Sequence, residues 1–170
     1  ARDDSEAYKA LVLSLVCGLR RSESDHLQWK AVDFDAGLLR IEDTEFKRLK
    51  SEDSAGEVDL DTETLKLFRS WYEASPNDVF ILKSRFSTSR ERKSRSYRCD
   101  ATFVRLCDWL RKNVVPESKP IHTLRKEIGS IIADQDGIFA ASKYLRHSDI
   151  SITARIYADK KRRVVAGLLS

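Results

Sequence analysis

Two histidines, one arginine and one tyrosine lie within 36 residues near the carboxyl end of this chain, at His122, Arg125, His147 and Tyr157. A tyrosine hydroxyl can attack phosphorus, but its unperturbed pKa of about 10 requires a nearby group to take its proton. Histidine is the usual acceptor. Arginine is permanently charged and forks onto two non-bridging oxygens of a phosphate that gains negative charge. The set therefore predicts chemistry on a phosphodiester that needs no metal and no cofactor.

Each of these residues also has a simpler explanation when it is taken alone. Tyr157 shares a helical face with Ile150 and Ala154, and a tyrosine in such a position is commonly a core residue with a bonded hydroxyl. His122 could begin a helix, and Arg125 could be a solvated side chain. The joint occurrence of all four residues favours a site.

The spacing of these residues resembles the carboxy-terminal signature of the tyrosine recombinases, the phage integrase family. That signature is His-x-x-Arg, then about two dozen residues, then Gly/Arg-His and a tyrosine nine or ten positions later. Here Arg146 precedes His147, and Tyr157 follows that histidine by ten positions. The family's other arginine lies in a Gly-Leu-Arg-x-Ser-Glu box, which residues 18–23 match with Arg20 as the arginine.

The family also carries a catalytic lysine on a β-hairpin, commonly as Lys-Thr/Ser before a Val-Pro-Leu strand. Lys50-Ser51 with Val58-Asp59-Leu60 downstream fits this pattern best, although Asp59 stands where the family usually has proline. Lys47 is the alternative, because hairpin alignments slip easily. Whichever lysine is not used is expected to be a solvated hairpin residue.

The resemblance implies a mainly α-helical α+β fold, the tyrosine-recombinase catalytic domain, with a small three-stranded antiparallel sheet. It implies that Tyr157 forms a 3′-phosphotyrosyl link to DNA while Lys50 protonates the leaving oxygen. Arg20 and Arg125 would clamp the phosphate. His122 and His147 would hold the phosphate and manage the tyrosine proton.

The amino-terminal half must position Arg20 and the lysine. Apolar periodicity predicts a helix over residues 5–17 that ends at Gly18, and a second short helix from Ser22 to Leu27. Within the second helix Glu23 is placed to orient or neutralise a neighbouring arginine. Turn residues at 35–37 and 54–56 predict a β-meander with strands at 38–41, 44–46 and 57–60.

The remaining elements are predicted to be helices. One spans residues 63–74 after a cap at Asp61, and another begins with Asp100 as its cap. A helix from Thr123 presents Ile128, Ile131 and Ile132 to the core and ends at residues 136–137. Three more helices are predicted after it: one over residues 138–145, one that starts at His147, and a short one in the tail at 160–170.

Length and composition fit one catalytic domain over residues 1–170, with 41% hydrophobic and 34% charged residues. The alanine start and the absence of methionine predict that an amino-terminal DNA-binding domain precedes these residues. No apolar run is long enough for a membrane span, so we expect a cytoplasmic protein. The three cysteines have no metal-ligand spacing and are expected to be reduced and structural.

Positive charge is concentrated in residues 83–112, which carry ten Lys/Arg and three Asp/Glu. This serine-rich stretch predicts contact with the backbone of double-stranded DNA, although a solvated loop would have the same composition. The residues expected to make that contact are Arg90, Arg92, Lys93 and Arg95; Lys83, Arg85 and Arg98 belong to the same cluster.

The predicted function is therefore a site-specific DNA recombinase or integrase of a phage or mobile element, monomeric when free and tetrameric on paired DNA sites. Two alternatives stay open at this point. One is a DNA-binding accessory protein of the same fold that no longer cleaves. The other is a type IB topoisomerase-like enzyme, which shares the chemistry and much of the residue pattern.

Overall fold

The computed structural model describes residues 4–48, 55–86, 97–114, 116–147 and 149–157, without the side chains of residues 152 and 155–157. Helix α1 spans Ser5–Leu15 and begins at Asp4, whose carboxylate accepts the backbone N–H of Ala7 at 3.1 Å. Helix α2 spans Arg21–His26. The turn between them contains Gly18 at φ +59, a conformation that favours glycine.

A small antiparallel sheet follows a short 3₁₀ turn at Trp29–Ala31. Its strands are β1 (Val32–Asp33), β2 (Leu38–Ile41) and β3 (Gly56–Asp59), in the order β1-β2-β3. Leu39 is paired with Val58 and both face the core, whereas Arg40 is exposed on the other face. The predicted three-stranded antiparallel sheet is therefore confirmed.

The prediction of a strand at residues 44–46 is wrong. Thr44 and Lys47 instead close a tight turn through an isolated β-bridge, and the Thr44 hydroxyl accepts the backbone N–H of Lys47 at 3.1 Å. A threonine that bonds its local backbone in this way competes with the ladder of a sheet. The strand that completes the sheet is β1, which is only two residues long.

Helix α3 (Thr62–Glu73) begins as predicted at Asp61, whose carboxylate accepts the Thr64 N–H at 2.9 Å. Helix α4 spans Asp100–Asn113. The prediction that Asp100 caps this helix is wrong, because Asp100 is its first helical residue and Cys99 precedes it without a side-chain cap bond.

Helix α5 (Pro120–Asp136) begins three residues before the predicted start, with proline in its first turn, where the missing N–H costs nothing. It ends at Gly137 as predicted. Ile131 is 48% exposed, so the prediction that it faces the core is wrong, and Leu124 is buried there instead. Helices α6 (Ile138–Leu145) and α7 (Ile150–Tyr157) follow; α7 begins after His147 and not at it.

One apolar core joins the sheet to helices α1, α3, α4 and α5, and α1 packs against both α4 and α5. All three cysteines are buried and free, as predicted. Within the ranges described above, no helix is long and apolar enough to cross a membrane. The largest fully buried side chains include Leu13, Leu19, Leu39, Phe68, Ile81, Leu82, Phe103, Leu106 and Leu110.

Candidate active site

Helix α5 places His122 and Arg125 on one face. The helix begins at Pro120, so both residues are helical. Residues three positions apart in a helix are neighbours on its surface. His122 is exposed, whereas Arg125 is 6% exposed. The Arg125 Nη2 donates a hydrogen bond to the carbonyl oxygen of Leu145 at the end of α6. Its Nη1 is buried and has no bonding partner within the described part of the chain.

Arg20 reaches the same region from the turn between α1 and α2. A Cβ on Gly18 would lie 2.6 Å from the Tyr144 ring, so only glycine permits this approach. The Tyr144 hydroxyl in turn donates to the Val16 carbonyl oxygen. Arg20 directly precedes the first residue of α2. Because the turn is held against α6, Arg20 lies near the α6–α7 connection, where its Nη2 donates to the Arg146 carbonyl oxygen.

Glu23 holds two arginines at once. Its Oε1 accepts Arg20 Nη1 at 2.8 Å, and its Oε2 accepts the Arg20 backbone N–H at 2.7 Å and Arg146 Nη2 at 2.6 Å. Burial alone would raise the pKa of Glu23, but the Arg146 charge and the bonds from Arg20 lower it below its ordinary value. Glu23 is therefore an ionised carboxylate, in agreement with the role predicted for it beside an arginine.

His147 follows α6 directly and is half-buried. Its Nδ1 shares a hydrogen bond of 2.8 Å with the hydroxyl of Thr153, which is fully buried in α7. Nε2 is then the ring nitrogen left for a substrate. Burial, together with the positive charges of Arg125 and Arg20, lowers the pKa of His147 to about 4. The imidazole is neutral near pH 7 and can accept a proton.

One open cleft of about 580 Å³ is lined by Arg20, His122, Arg125 and His147. Residues from three parts of the sequence meet there, within 19–22, 97–111 and 118–147. The cleft is strongly positive, and no acidic side chain among the described residues lines it. Its lining residues with polar or charged side chains are Arg20, Arg21, Ser22, Tyr97, Cys107, Arg111, Ser118, Lys119, His122, Arg125 and His147.

The crowding of cations changes their proton affinities. Burial and the charges of Arg20 and Arg146 lower the pKa of Arg125 to about 10. His122 is exposed at its surface but partly enclosed, and this partial burial, with the charges of Lys126 and Arg125, lowers its pKa. The cationic neighbours that contribute to both shifts would attract an anion bound in the cleft. A phosphate is the anion that suits two arginines and neutral histidines.

Lys47, the alternative for the catalytic lysine, does not line this cleft. Its ammonium donates to the Arg48 carbonyl oxygen at 3.2 Å, and the residue borders a separate small pocket beside His26. Lys50 lies outside the described residues. The predicted DNA contacts Arg90, Arg92, Lys93 and Arg95 also lie outside them. Tyr157 is the last residue of α7, and its side chain is likewise not among those described.

Arg98 does not belong to a DNA-binding surface, contrary to its assignment to the basic cluster. It is 2% exposed, and its guanidinium donates to the carbonyl oxygens of Asp25 at 3.0 Å and Leu82 at 2.5 Å. The Asp25 carboxylate accepts the backbone N–H groups of Arg98 and Cys99, both at 2.7 Å. Arg98 therefore joins α2 to the chain before α4 and has a structural role.

Sequence reasoning assigned no role to three further residues near the cleft. The Arg21 guanidinium carbon lies over the Tyr97 ring, 4.2 Å from its centroid, and Arg21 pairs with Asp100 at 3.3 Å. Lys119 lines the cleft at the start of α5, and Arg146 reaches Glu23 from behind it. In the sequence, Arg21 and Arg146 could have been suspected because each directly adjoins a predicted site residue, Arg20 and His147 respectively.

A profile of the phage integrase family matches residues 2–163 of this chain. The chain belongs to the phage integrase family. The match covers nearly the full sequence, so the resemblance of the motifs to tyrosine recombinases is confirmed. A search among curated proteins found no match.

Solved structures of tyrosine recombinases share the fold. The integrase of the Tn1549 transposon in complex with a circular intermediate DNA has a TM-score of 0.68 at 17% identity, covering 92% of this chain and 55% of that one. The same integrase with transposon right end DNA gives 0.64 at 18% identity, covering 90% and 54%. The XerA recombinase gives 0.67 at 18% identity, covering 92% and 52%. This integrase-family chain thus spans about half the length of these solved chains.

Proposed function

We propose that this member of the phage integrase family cleaves and rejoins DNA through a covalent intermediate on Tyr157. The observation that carries the proposal is the cleft itself. It gathers Arg20, His122, Arg125 and His147 around a positive space, and the buried Nη1 of Arg125 has no partner among the described residues. A buried donor without a partner is costly unless a ligand satisfies it. A DNA phosphate would do so.

In the proposed reaction the Tyr157 oxygen attacks the scissile phosphorus, and the bond from phosphorus to the 5′ oxygen breaks. The DNA 3′ end is left on the tyrosine as a phosphodiester. His147, neutral near pH 7, takes the tyrosine proton, and Lys50 gives a proton to the departing 5′ oxygen. Rejoining is the reverse, with a 5′ hydroxyl as the nucleophile. One phosphodiester replaces another, so no external energy source is required.

The arginines supply charge to the transition state. The phosphate gains negative charge as it becomes pentavalent, and a cation already fixed in place needs no reorganisation at that moment. Arg125 is fixed by the Leu145 carbonyl and Arg20 by Glu23. His122, on the same face of α5 as Arg125, donates to a non-bridging oxygen. Loss of one such donor costs about 10²- to 10³-fold in rate.

Lys50 remains our choice for the proton donor, and the position of Lys47 supports it. Lys47 lies in the turn closed by Thr44 and borders a different pocket from the one that Arg20 and Arg125 line. The segment between residue 48 and residue 55 joins this turn to β3, and Lys50 is within it.

The proposed partner is double-stranded DNA, contacted by Arg90, Arg92, Lys93 and Arg95 through its backbone. We also propose that an amino-terminal DNA-binding domain completes the protein, since the solved chains of the same fold are nearly twice as long. The protein would be a monomer when free and a tetramer on paired sites. Sedimentation without DNA and with a two-site duplex tests this assembly, and a stable tetramer without DNA would contradict it.

A suicide substrate tests the cleavage. A duplex nicked close to the cleavage site loses its short 5′-hydroxyl fragment by diffusion, so the covalent intermediate accumulates and migrates slowly in a denaturing gel. We expect the wild type to form this adduct, protease to remove it, and Tyr157→Phe to abolish it. Tyr72→Phe, at a half-exposed tyrosine of α3, is the matched control and should cleave normally.

This experiment, together with assays of supercoil relaxation and of strand exchange, decides between the proposal and its two alternatives. A protein that binds the duplex but gives no adduct is an accessory DNA-binding protein. A protein that gives an adduct, relaxes supercoiled DNA and fails to exchange strands between paired sites is topoisomerase-like. Adduct formation followed by strand exchange supports the recombinase.

A further inference from the structure

Arg146 adopts a left-handed backbone conformation, which is unfavourable for any residue that carries a side chain. Its φ is +47, and within the described ranges no other residue except glycine has a positive φ. The left-handed region costs a non-glycine residue roughly 1 kcal/mol or more. Arg146 is also 5% exposed, although burying a cation is unfavourable. A strained backbone and a buried charge at one residue call for compensating contacts.

Both the main chain and the side chain of Arg146 contact the group around Arg20. The Arg146 carbonyl oxygen accepts Arg20 Nη2 at 3.1 Å. Its own Nη2 donates to Glu23 Oε2 at 2.6 Å. The Glu23 carboxylate therefore lies between two guanidinium groups that come from opposite ends of the chain.

The charges of these three side chains explain why two arginines are present. If Arg20 alone were paired with Glu23, the carboxylate would offset its positive charge and little would remain for a phosphate. With Arg146 added, the group has a net charge of +1. Arg146 and Glu23 are each 3% exposed at their side chains, whereas the Arg20 side chain is 31% exposed and lines the cleft. The surplus charge is thus at the exposed member.

We propose that Arg146 is a positioning residue for the phosphate site: by holding Glu23 it orients the Arg20 guanidinium and leaves its positive charge for the scissile phosphate. This inference rests on the function proposed for the cleft. Arg146 does not line that cleft, so it acts through Glu23 and not on DNA.

The start of β3 leaves room for the Arg146 side chain. A Cβ on Gly56 would lie 3.1 Å from Arg146 Cδ, a separation tighter than ordinary van der Waals contact. The Arg146 side chain therefore passes directly over the backbone that leads into β3. Burial and the charge of Arg20 lower the pKa of Arg146, and its bond to Glu23 opposes that change.

The principal test compares Arg146→Met with Lys143→Met. Both changes remove one positive charge, and Lys143 is an exposed residue of α6, the helix that ends just before Arg146, and also borders the groove beside Gly56. We expect Arg146→Met to slow single-turnover cleavage of the suicide substrate by about 10- to 100-fold, the range typical of residues that orient a functional ligand. DNA affinity should change little. Lys143→Met should cleave at the wild-type rate. Equal rates for Arg146→Met and wild type would overturn the inference.

Two further substitutions separate positioning from folding. Arg146→Gly removes the strain of the left-handed backbone and should unfold no earlier than Arg146→Met, yet it should cleave as slowly. Arg146→Lys keeps the charge without the planar fork and should restore part of the rate. Wild-type cleavage by Arg146→Gly would show that only the backbone turn matters and would contradict the inference.

A double-mutant cycle with Glu23→Gln tests the path of the effect. If Arg146 acts through the carboxylate, Arg146→Met should slow a Glu23→Gln protein by less than about twofold, because the coupled partner is already lost. A full further loss in that background would mean that Arg146 acts elsewhere.

Binding of inorganic phosphate provides a readout that does not depend on cleavage. Phosphate titrated into the DNA-free protein should shift the ring NMR signals of His122 and His147, and Arg146→Met should bind it several-fold more weakly. If the wild type binds phosphate but forms no adduct, the proposed function fails, and weaker phosphate binding by Arg146→Met would still support the role of Arg146 at the phosphate site. If Arg146→Met binds phosphate as tightly as the wild type, the inference fails. If the wild type shows neither phosphate binding nor an adduct, both are wrong.

Discussion

Burial of the Arg125 charge carries a cost in the folded protein, so removal of that charge should leave stability unchanged or raise it while it slows the proposed cleavage. The guanidinium is 6% exposed and lies near Arg20 and Arg146. We expect Arg125→Met, which keeps a similar length and removes the charge, to unfold at the same or a higher denaturant concentration than the wild type. Cleavage of the suicide substrate should fall by about 10²- to 10³-fold.

The magnitude follows from two opposing contributions. Burial and neighbouring charges lower the pKa of Arg125 to about 10. Because one pKa unit corresponds to about 1.4 kcal/mol, the folded state holds this charge at a cost of about 3 kcal/mol. Arg125→Met removes that cost but leaves the Leu145 carbonyl without its buried donor, which destabilises by about 1–3 kcal/mol. The net change in unfolding free energy is about 0 to 2 kcal/mol in favour of the variant.

Urea unfolding at pH 7, followed by circular dichroism, measures the change. Lys126→Met removes an exposed charge from the next position of α5 and should alter stability by no more than about 0.5 kcal/mol. Phosphate at ten times its dissociation constant should stabilise the wild type by about 1.4 kcal/mol and Arg125→Met hardly at all. Destabilisation of Arg125→Met by more than about 1 kcal/mol, or equal stabilisation by phosphate, would refute the reasoning.

Three further predictions concern the same site. The His147 ring should titrate near pH 4 in an NMR experiment, and Arg125→Met should raise that midpoint because a nearby positive charge is gone. In the unfolded chain the same ring takes up its proton near the ordinary histidine pKa of about 6.5. Protonation of His147 should therefore reduce the stability of the fold as the pH falls from about 6.5 toward 4. A midpoint above 6 would contradict this. Gly18→Ala should destabilise by several kcal/mol more than Gly37→Ala, as both have a left-handed φ but only the first meets a ring at 2.6 Å; equal unfolding midpoints would refute the close approach. A substrate with sulfur in place of the leaving 5′ oxygen should rescue Lys50→Ala, whereas Lys47→Ala should cleave ordinary DNA normally; the opposite pattern would move the proton donor to Lys47.

Local sequence signals predicted the helices well because each depends on residues close together. The Asp61 cap and the stop at Gly137 are decided within one turn of helix. In the sheet, errors arose where a local bond or a short element decided the outcome. Thr44 closes a turn by bonding its own backbone, and β1 has only two residues and therefore no alternation to detect.

The residues that were misjudged or missed depend on partners far away in sequence. Arg98 looks like part of a solvated basic loop, yet it is buried because Asp25, 73 positions earlier, accepts its backbone N–H. Arg146 pairs with Glu23 across 123 positions. No periodicity contains such information, since both pairings exist only once the helices have packed. The predicted residues at 20, 122, 125 and 147 could be named beforehand because the family motif already summarises which distant positions meet.

The identity of the tyrosine in the covalent adduct tests the central claim most directly. The chain has five tyrosines. Digestion of the purified protein–DNA adduct with protease and nuclease, followed by mass spectrometry, locates the residue that carries the nucleotide. The account predicts a single modified peptide with the phosphodiester on Tyr157 and the nucleotide joined through its 3′ phosphate. A nucleotide on any other residue, or joined through a 5′ phosphate, would contradict it.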